Sequence, residues 1–194
     1  SDLLRGCDGE VIVLAGDGPL IRPKTLRTLL TRHRQSHAAA SLATSVIEDP
    51  TGYGRIIRDQ EGRFRCIVEH KNATEDQRRI REVNPSYYCF SGTDLFRALE
   101  RVGRNPASGE YYLTDVPELL LKDGRTVEVI DAVPPEDILS INTPEELDRV
   151  DRVFRSRVDR WMGDGYDTHD MKIFAGRHSR ALTDRVCTHL MMPV

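Results

Sequence analysis

An aspartate that directly follows an apolar run is the first residue that could do chemistry. Residues 11–15 read Val-Ile-Val-Leu-Ala, and Gly16 and Asp17 come next. Open α/β sheets bind their ligands at the carboxyl ends of strands, where Asp17 is expected to lie. A carboxylate there suits Mg²⁺, which takes one or two protein oxygens and completes its shell with phosphate and water. From position alone, Asp17 could equally cap the turn after the strand.

An asparagine far along the chain offers a neutral oxygen ligand. Asn142 comes just before Thr143, the expected N-cap of a helix with Glu145 and Glu146 in its first turn. Helix N-termini favour anions, so a phosphate could also lie near Asn142.

Three polar or glycine positions in the middle of the chain could bind a ligand. Gly54 would let a ligand approach the backbone closely, although a plain tight turn explains it as well. Glu69 ends a predicted strand and could accept hydrogen bonds from sugar hydroxyls, or pair with Lys71 on the surface. Asn84 could supply an amide contact or only start a turn.

Other reactive residue types give weaker indications. Glu110 and Tyr111 fall where a helix is predicted to open and could face a site, although aromatic residues at a helix start more often pack in the core. His33 and His37 are four residues apart and are expected on a solvated helix face. The four cysteines lack metal-ligand spacing and are expected to be free thiols.

The elements that must position these residues begin in strand–helix–strand order. The uninterrupted apolar run at 11–15 predicts a strand buried on both faces, and residues 23–37 predict an amphipathic helix. A second apolar strand at 38–47 completes a parallel βαβ unit. A hairpin turn at 60–62 joins predicted strands 55–58 and 63–68. The remaining predicted elements are strands 86–90 and 126–130 and helices 74–81, 93–102, 112–121 and 144–157.

The composition is that of an ordinary globular protein, with 39% hydrophobic and 30% charged residues among 194. The net charge of −3 gives no indication of nucleic-acid binding. No apolar run approaches the ~20 residues that cross a bilayer, and residues 1–10 are too polar for a signal peptide. We therefore expect a cytoplasmic protein that binds neither nucleic acid nor membranes.

Seven short motifs, taken in order, resemble one protein family. It is the uridylyltransferase domain of the bacterial bifunctional UDP-N-acetylglucosamine pyrophosphorylase / glucosamine-1-phosphate N-acetyltransferase. The most specific motifs are Pro-Thr-Gly-Tyr-Gly-Arg at 50–55 and Glu-Tyr-Tyr-Leu-Thr-Asp at 110–115. The full set lies at residues 16–20, 49–55, 67–71, 73–78, 82–84, 109–115 and 141–142.

The resemblance implies a Rossmann-like α/β nucleotidyltransferase fold with a mixed, mostly parallel sheet. It implies that UTP and N-acetylglucosamine 1-phosphate react to give UDP-N-acetylglucosamine and pyrophosphate. Asp17 and Asn142 would then hold the catalytic Mg²⁺ between the phosphates. Substrate contacts would come from Gly54, Glu69 and Asn84, which bind the amino sugar, and from Gly16, Glu110 and Tyr111.

The sequence also departs from the family in three ways. The Gly-rich loop that cradles the nucleotide and the acetyltransferase domain are both missing from this sequence, and Pro85-Ser86 replaces the usual Thr-Gly after the sugar-binding asparagine. Two alternatives therefore stay open: a non-catalytic sugar-phosphate binding or regulatory domain, and a nucleotidyltransferase for another nucleotide or sugar.

The tail carries a second resemblance, to the first strand and helix of ribose-phosphate pyrophosphokinase. We therefore expect three parts: the C-terminal part of a nucleotidyltransferase domain over 1–158, a linker over 159–170 and a βα fragment over 171–194. Loss of the family's first strands would expose apolar surface beside strand 11–15. Marginal stability or self-association is expected as a result.

Overall fold

The computed structural model describes residues 6–106 and 109–161, which form two compact units. The first comprises the described parts of 6–15 and 21–135, and the second comprises 16–20 and 136–161. The predicted βα fragment at 171–194 lies outside the described residues. Helix α5 continues to Trp161, so the first three positions of the predicted linker are helical and its other positions lie outside the described range.

The first unit contains a six-stranded sheet and four helices within the described residues. Most elements lie within a few residues of their predicted positions. Apolar periodicity predicts that a helix or strand exists more reliably than it predicts the residues at which the element begins and ends. The strands are β1 (Glu10–Leu14), β2 (Ala40–Val46), β3 (Gly54–Arg58), β4 (Phe64–Val68), β5 (Glu82–Ser91) and β6 (Val127–Asp131), and the helices are α1 (Pro23–Ser36), α2 (Glu75–Arg78), α3 (Gly92–Leu99) and α4 (Val116–Lys122).

The sheet has the order β4-β3-β5-β2-β6, and β1 also pairs with β5. Strand β5 is antiparallel to β1, β2 and β3, whereas β2 and β6 are parallel. Strand β4 is antiparallel to β3, so β1, β2, β3 and β6 run one way and β4 and β5 the other. The predicted α/β fold with a mixed sheet is confirmed, and among the described strands the one parallel pairing is β2 with β6.

Strand β1 differs from the prediction, which placed it in the middle of the sheet with both faces buried. It pairs only with β5 among the described strands, and its residues alternate between exposed and half-buried. Ile12 and Leu14 are 40% and 39% exposed. An apolar run reports β propensity, but it carries no information about whether neighbours cover both sides of the strand. Self-association stays a prediction.

Helix α1 packs one histidine inward, which corrects a second expectation. His33 was expected on a solvated face, but it is 4% exposed and its Nδ1 lies 3.0 Å from the Ser41 hydroxyl of β2. Burial lowers the pKa of His33, because charging the imidazole there would sacrifice hydration. His37 caps the helix at a φ of 49°.

The second unit contains α5 (Pro144–Trp161) and the short segment 16–20. The predicted start of α5 is confirmed by a capping box, in which Glu146 N donates to Thr143 Oγ1 at 3.2 Å. The Glu146 carboxylate in turn accepts from Thr143 N at 3.0 Å. Within the described residues, the structure has no helix long and apolar enough to cross a membrane.

Candidate active site

In the second unit, the segment that carries Asp17 lies against the segment that carries Asn142. The backbone N–H of Ile141 donates to the carbonyl oxygen of Asp17 at 2.9 Å. Asp17 is half-buried and Asn142 is exposed. A backbone hydrogen bond thus joins Asp17 to the residue that precedes Asn142, although more than 120 positions separate them in the sequence.

The start of α5 determines how Asn142 is presented. Its backbone N–H donates to Glu146 Oε2 at 2.6 Å, and its Nδ2 donates to Ser140 Oγ at 3.2 Å. These contacts fix the residue at both its backbone and its amide nitrogen. The remaining amide atom, Oδ1, is the type of oxygen that ligates Mg²⁺.

An arginine that is mostly shielded from solvent connects α5 to the Asp17 segment. Arg157 Nη1 donates to the carbonyl oxygen of Leu20 at 3.1 Å, and Nη2 lies 2.5 Å from Asp137 Oδ1. The Asp137 side chain is 0% exposed and that of Arg157 is 12% exposed. Because Leu20 lies three residues after Asp17, Arg157 restrains the segment that must present the carboxylate.

The donor set of this unit fits a hard divalent cation. Asp17 supplies a carboxylate and Asn142 an amide oxygen, and Mg²⁺ commonly binds one or two such protein oxygens with substrate phosphate. The described residues contain no cluster of three or more His, Cys, Asp or Glu side chains of the kind that encloses a metal completely. A site of two ligands completed by substrate is therefore the arrangement that these residues could form.

In the first unit, an irregularity in β5 positions Asn84. The register between β2 and β5 shifts between the pair Ala43–Tyr87 and the pair Ser45–Val83, so β5 carries extra residues there. Pro85, which has no N–H to donate, falls within this bulge, a position where proline is tolerated. Ser86 has a φ of 64°, a left-handed conformation unusual for a residue with a Cβ.

Gly54, Glu69 and Asn84, the residues that the family resemblance assigns to the sugar, lie close together in this unit. Gly54 of β3 is the direct partner of Asn84 in β5. A Cβ built on Gly54 would lie 3.6 Å from each carboxylate oxygen of Glu69. The three residues therefore surround one small region at the junction of β3, β4 and β5.

Tyr88 is a member of this cluster that the sequence analysis missed. The Asn84 amide Nδ2 donates to its hydroxyl oxygen at 2.6 Å, and the Tyr88 side chain is 1% exposed. Burial, together with the nearby Glu69 charge, raises the pKa of Tyr88 to about 12, although hydrogen bonds from Ser86 and Asn84 oppose the rise. In the sequence, Tyr88 has the pattern of a core residue. Its position two residues after Ser86 is the one sequence feature that could have indicated its contact with Asn84.

Arg55 is a second residue that the sequence analysis left out of the site. It is 1% exposed, donates to the carbonyl oxygens of Tyr53 and Arg78, and lies 3.1 Å from His70 Nδ1. Burial lowers the pKa of the Arg55 guanidinium. Arg55 thereby connects the turn at Tyr53, the residue that follows Glu69 and the end of α2.

Glu110 and Tyr111 occupy an exposed loop of the same unit. Glu110 Oε2 lies 3.6 Å from Lys71 Nζ and accepts from the Tyr112 hydroxyl at 3.2 Å. Lys71, which follows Glu69 by two residues and was considered as its partner, therefore pairs with Glu110. Tyr111 is 62% exposed, and the Arg104 guanidinium lies 5.3 Å from its ring centroid.

The helix expected to open at residues 109–112 begins later. Tyr111 forms an isolated antiparallel bridge with Arg104, and the chain is still extended at Tyr112. A 3₁₀ turn at Leu113–Asp115 precedes α4, which has Pro117 in its first turn. The bridge holds the backbone extended, and the proline favours a helix start near its own position.

A methyl group at Gly54 tests how closely the cluster is packed. We expect Gly54→Ala to lower the free energy of unfolding by about 1–3 kcal/mol, because the new Cβ would overpack the site. That Cβ would lie 3.1 Å from Ile67 Cγ2, and Ile67 is only 8% exposed. Urea denaturation followed by circular dichroism measures the change.

Gly103→Ala is the matched control for this substitution. A Cβ at Gly103 would meet nothing within 4 Å, so stability should change by less than about 0.5 kcal/mol. Equal stabilities of the two alanine variants would contradict the close packing of Gly54 against Ile67.

Comparison with known proteins gives strong sequence relatives for most of this chain. It is 43% identical over 157 residues to the Bifunctional protein GlmU of Geobacillus thermodenitrificans, which is 81% of this chain and 34% of the relative. It is 40% identical over 170 residues to the Bifunctional protein GlmU of Limosilactobacillus reuteri, or 87% of this chain and 37% of the relative. The resemblance found in the sequence motifs is confirmed. The chain spans about a third of the length of the curated relatives it matches, and no family model matches it.

Solved structures support the fold. A structure named for a glucose-1-phosphate thymidylyltransferase from Bacillus anthracis superposes with a TM-score of 0.59 at 16% identity, over 90% of this chain and 59% of that one. A UDP-glucose pyrophosphorylase gives a TM-score of 0.56 at 12% identity, over 80% of this chain and 61% of that one. At such identities the likeness shows a shared architecture, that of sugar nucleotidyltransferases.

Proposed function

From the similarity to the GlmU proteins, which covers 81% of this chain, we propose that the protein transfers a nucleotidyl group to a sugar 1-phosphate. The finer proposal is that UTP and N-acetylglucosamine 1-phosphate are the substrates. The products are UDP-N-acetylglucosamine, a precursor for cell-wall synthesis, and pyrophosphate. We place the reaction in the cytoplasm. The observation that carries the proposal is the 43% identity over 157 residues.

The reaction is an in-line displacement at phosphorus. A phosphate oxygen of the sugar 1-phosphate attacks the α-phosphorus of the nucleoside triphosphate, and a new P–O bond forms. The bond from the α-phosphorus to the bridging oxygen breaks, and pyrophosphate leaves with that electron pair. Reactions of this kind need little covalent work from the protein, so positioning and charge neutralisation supply most of the catalysis.

Asp17 and Asn142 would hold Mg²⁺ in this proposal. When bound, the cation neutralises charge on the phosphates and fixes their orientation. Support comes from the hydrogen bond between Ile141 N and Asp17 O, which keeps the two candidate ligands near each other. Gly16, next to Asp17, is proposed to let a substrate approach the backbone without interference from a Cβ.

Gly54, Glu69 and Asn84 would bind the amino sugar. The Glu69 carboxylate is suited to accept hydrogen bonds from hydroxyl groups, and it makes no ion pair within the described part of the chain. The Asn84 amide offers both a donor and an acceptor. Glu110 and Tyr111, on their exposed loop, are proposed as further substrate contacts. The support for this set is that Gly54 pairs with Asn84 and that a Cβ built on Gly54 would lie 3.6 Å from the Glu69 carboxylate oxygens.

Pyrophosphate release, measured with each of the four nucleoside triphosphates and several sugar 1-phosphates, tests the proposal. With Mg²⁺ present, UTP and N-acetylglucosamine 1-phosphate should give the highest rate. Glu69→Gln should raise KM for the sugar phosphate by about five- to tenfold, because a hydrogen bond from a hydroxyl to a charged acceptor is worth more than one to a neutral acceptor. Glu61→Gln, on an exposed hairpin turn, is the matched control and should change nothing.

The alternatives predict other outcomes of the same assay. Saturable binding of the sugar phosphate without turnover of any triphosphate would identify a binding or regulatory domain. A higher rate with another nucleotide or sugar would identify a different nucleotidyltransferase. Neither binding nor turnover with any pair would refute the proposal.

A further inference from the structure

The side-chain amide of Asn84 is held in one orientation by its neighbours. Its Oδ1 accepts from the backbone N–H of Ser86 at 3.2 Å, and its Nδ2 donates to the Tyr88 hydroxyl at 2.6 Å. Nδ2 also lies 3.5 Å from Ser86 Oγ, which is the outer limit of a hydrogen bond. The short contact to Tyr88 is therefore the main restraint on the nitrogen side of the amide.

Reversal of the amide would break this pattern. An amide carries two N–H donors and two acceptor positions on its oxygen. If oxygen and nitrogen exchanged places, the N–H groups of Asn84 would face the N–H of Ser86, and two donors would meet. The observed contacts use one donor and one acceptor position, and they leave the other donor only weakly occupied by Ser86.

Tyr88 is itself fixed firmly enough to serve as a reference point. It is 1% exposed, and its ring stacks on Phe90 with centroids 5.5 Å apart. Its partners across the sheet are Val13 and Leu42, so apolar residues flank it in both neighbouring strands. Burial raises the pKa of Tyr88 to about 12, so its hydroxyl stays neutral at neutral pH. The Ser86 side chain also hydrogen-bonds to the Tyr88 hydroxyl.

We propose that Tyr88 is a positioning residue for substrate binding, whose buried hydroxyl orients the Asn84 amide so that its second N–H and second oxygen lone pair meet the sugar phosphate. This inference rests on the proposed function for the identity of the ligand. The orientation of the amide stands independently of the ligand. Tyr88, a residue of the sheet core, thus affects substrate binding through a hydroxyl group that does not contact the substrate.

The Tyr88→Phe variant tests the inference through two readouts. In ¹⁵N-labelled protein, the two Nδ2 protons of Asn84 give signals that are assigned by their disappearance in Asn84→Asp. We expect these signals to shift and to exchange faster with water in Tyr88→Phe, because the 2.6 Å hydrogen bond is lost. Calorimetric titration with N-acetylglucosamine 1-phosphate should give a Kd weakened about five- to tenfold, the effect of one hydrogen bond.

Tyr87→Phe is the matched control. Tyr87 is also 1% exposed, but it is the neighbouring residue in β5 and its side chain points to the opposite face of the sheet. Loss of its hydroxyl should leave the Asn84 signals and the Kd unchanged, whatever it does to stability. Unchanged Asn84 signals in Tyr88→Phe, or altered signals with an unchanged Kd, would overturn the inference. If the unaltered chain binds no sugar phosphate, the proposed function fails, and the amide signals alone decide whether Tyr88 orients Asn84.

Discussion

Replacement of Asp17 by alanine should lower the rate of pyrophosphate release by at least about 100-fold, the usual effect of removing a group that stabilises charge in the transition state. The carboxylate is the only charged ligand in the proposed magnesium site, so its loss would leave Asn142 alone to hold the cation. Asp17→Asn keeps an oxygen ligand without the charge and should fall between alanine and the native residue. Release of pyrophosphate, measured at several Mg²⁺ concentrations, gives both the rate and the apparent metal affinity.

Two further measurements separate a metal role from a structural one. Mn²⁺ added in place of Mg²⁺ should broaden the NMR signals of residues near Asp17 in the native chain and should not do so in Asp17→Ala. Asp148→Ala, an exposed aspartate on α5, should behave like the native protein in both assays. Thermal melting should be similar for all variants. Turnover that survives Asp17→Ala would show that this carboxylate holds no catalytic metal.

The parts of the fold that depend on local pattern were accessible from the sequence. The hairpin of β3 and β4 was predicted from its turn, and α5 from the Thr143 cap followed by acidic residues. That Gly54 and Glu69 serve one sugar was expected only through the family resemblance, since Gly54 begins β3 and Glu69 follows β4. A local sequence pattern predicts individual helices and strands, whereas a motif shared with relatives also indicates which helices and strands contact each other.

The parts that depend on long-range partners were not accessible. His33 lies four residues after the buried Leu29, so helical periodicity places it on the buried face of α1, but the sequence does not indicate that the Ser41 hydroxyl of β2 is its partner. The exposure of β1 depends on which strands flank it. Tyr88 has the same alternating apolar context as any core tyrosine, so its hydrogen bond to Asn84 depends on a bulge that sequence spacing does not predict.

Arg157 is the other position where one substitution should have a large effect, here on stability. We expect Arg157→Met to lower the free energy of unfolding by about 3–5 kcal/mol, the cost of breaking a buried ion pair from one side. Methionine keeps most of the apolar stem but deprives Asp137, whose side chain is 0% exposed, of its guanidinium partner. The hydrogen bond to the carbonyl oxygen of Leu20 would be lost as well.

A second pair on the same helix and a double variant make this prediction specific. Arg155 and Asp151 lie 2.6 Å apart, but their side chains are 77% and 46% exposed, so Arg155→Ala should leave the urea midpoint unchanged. Asp137→Leu combined with Arg157→Met removes both buried charges and should recover much of the lost stability. The double variant should still bind Mn²⁺ more weakly than the native chain, because nothing replaces the restraint on Leu20. Full recovery of metal binding would show that the ion pair supports the stability of α5 and plays no part in presenting Asp17.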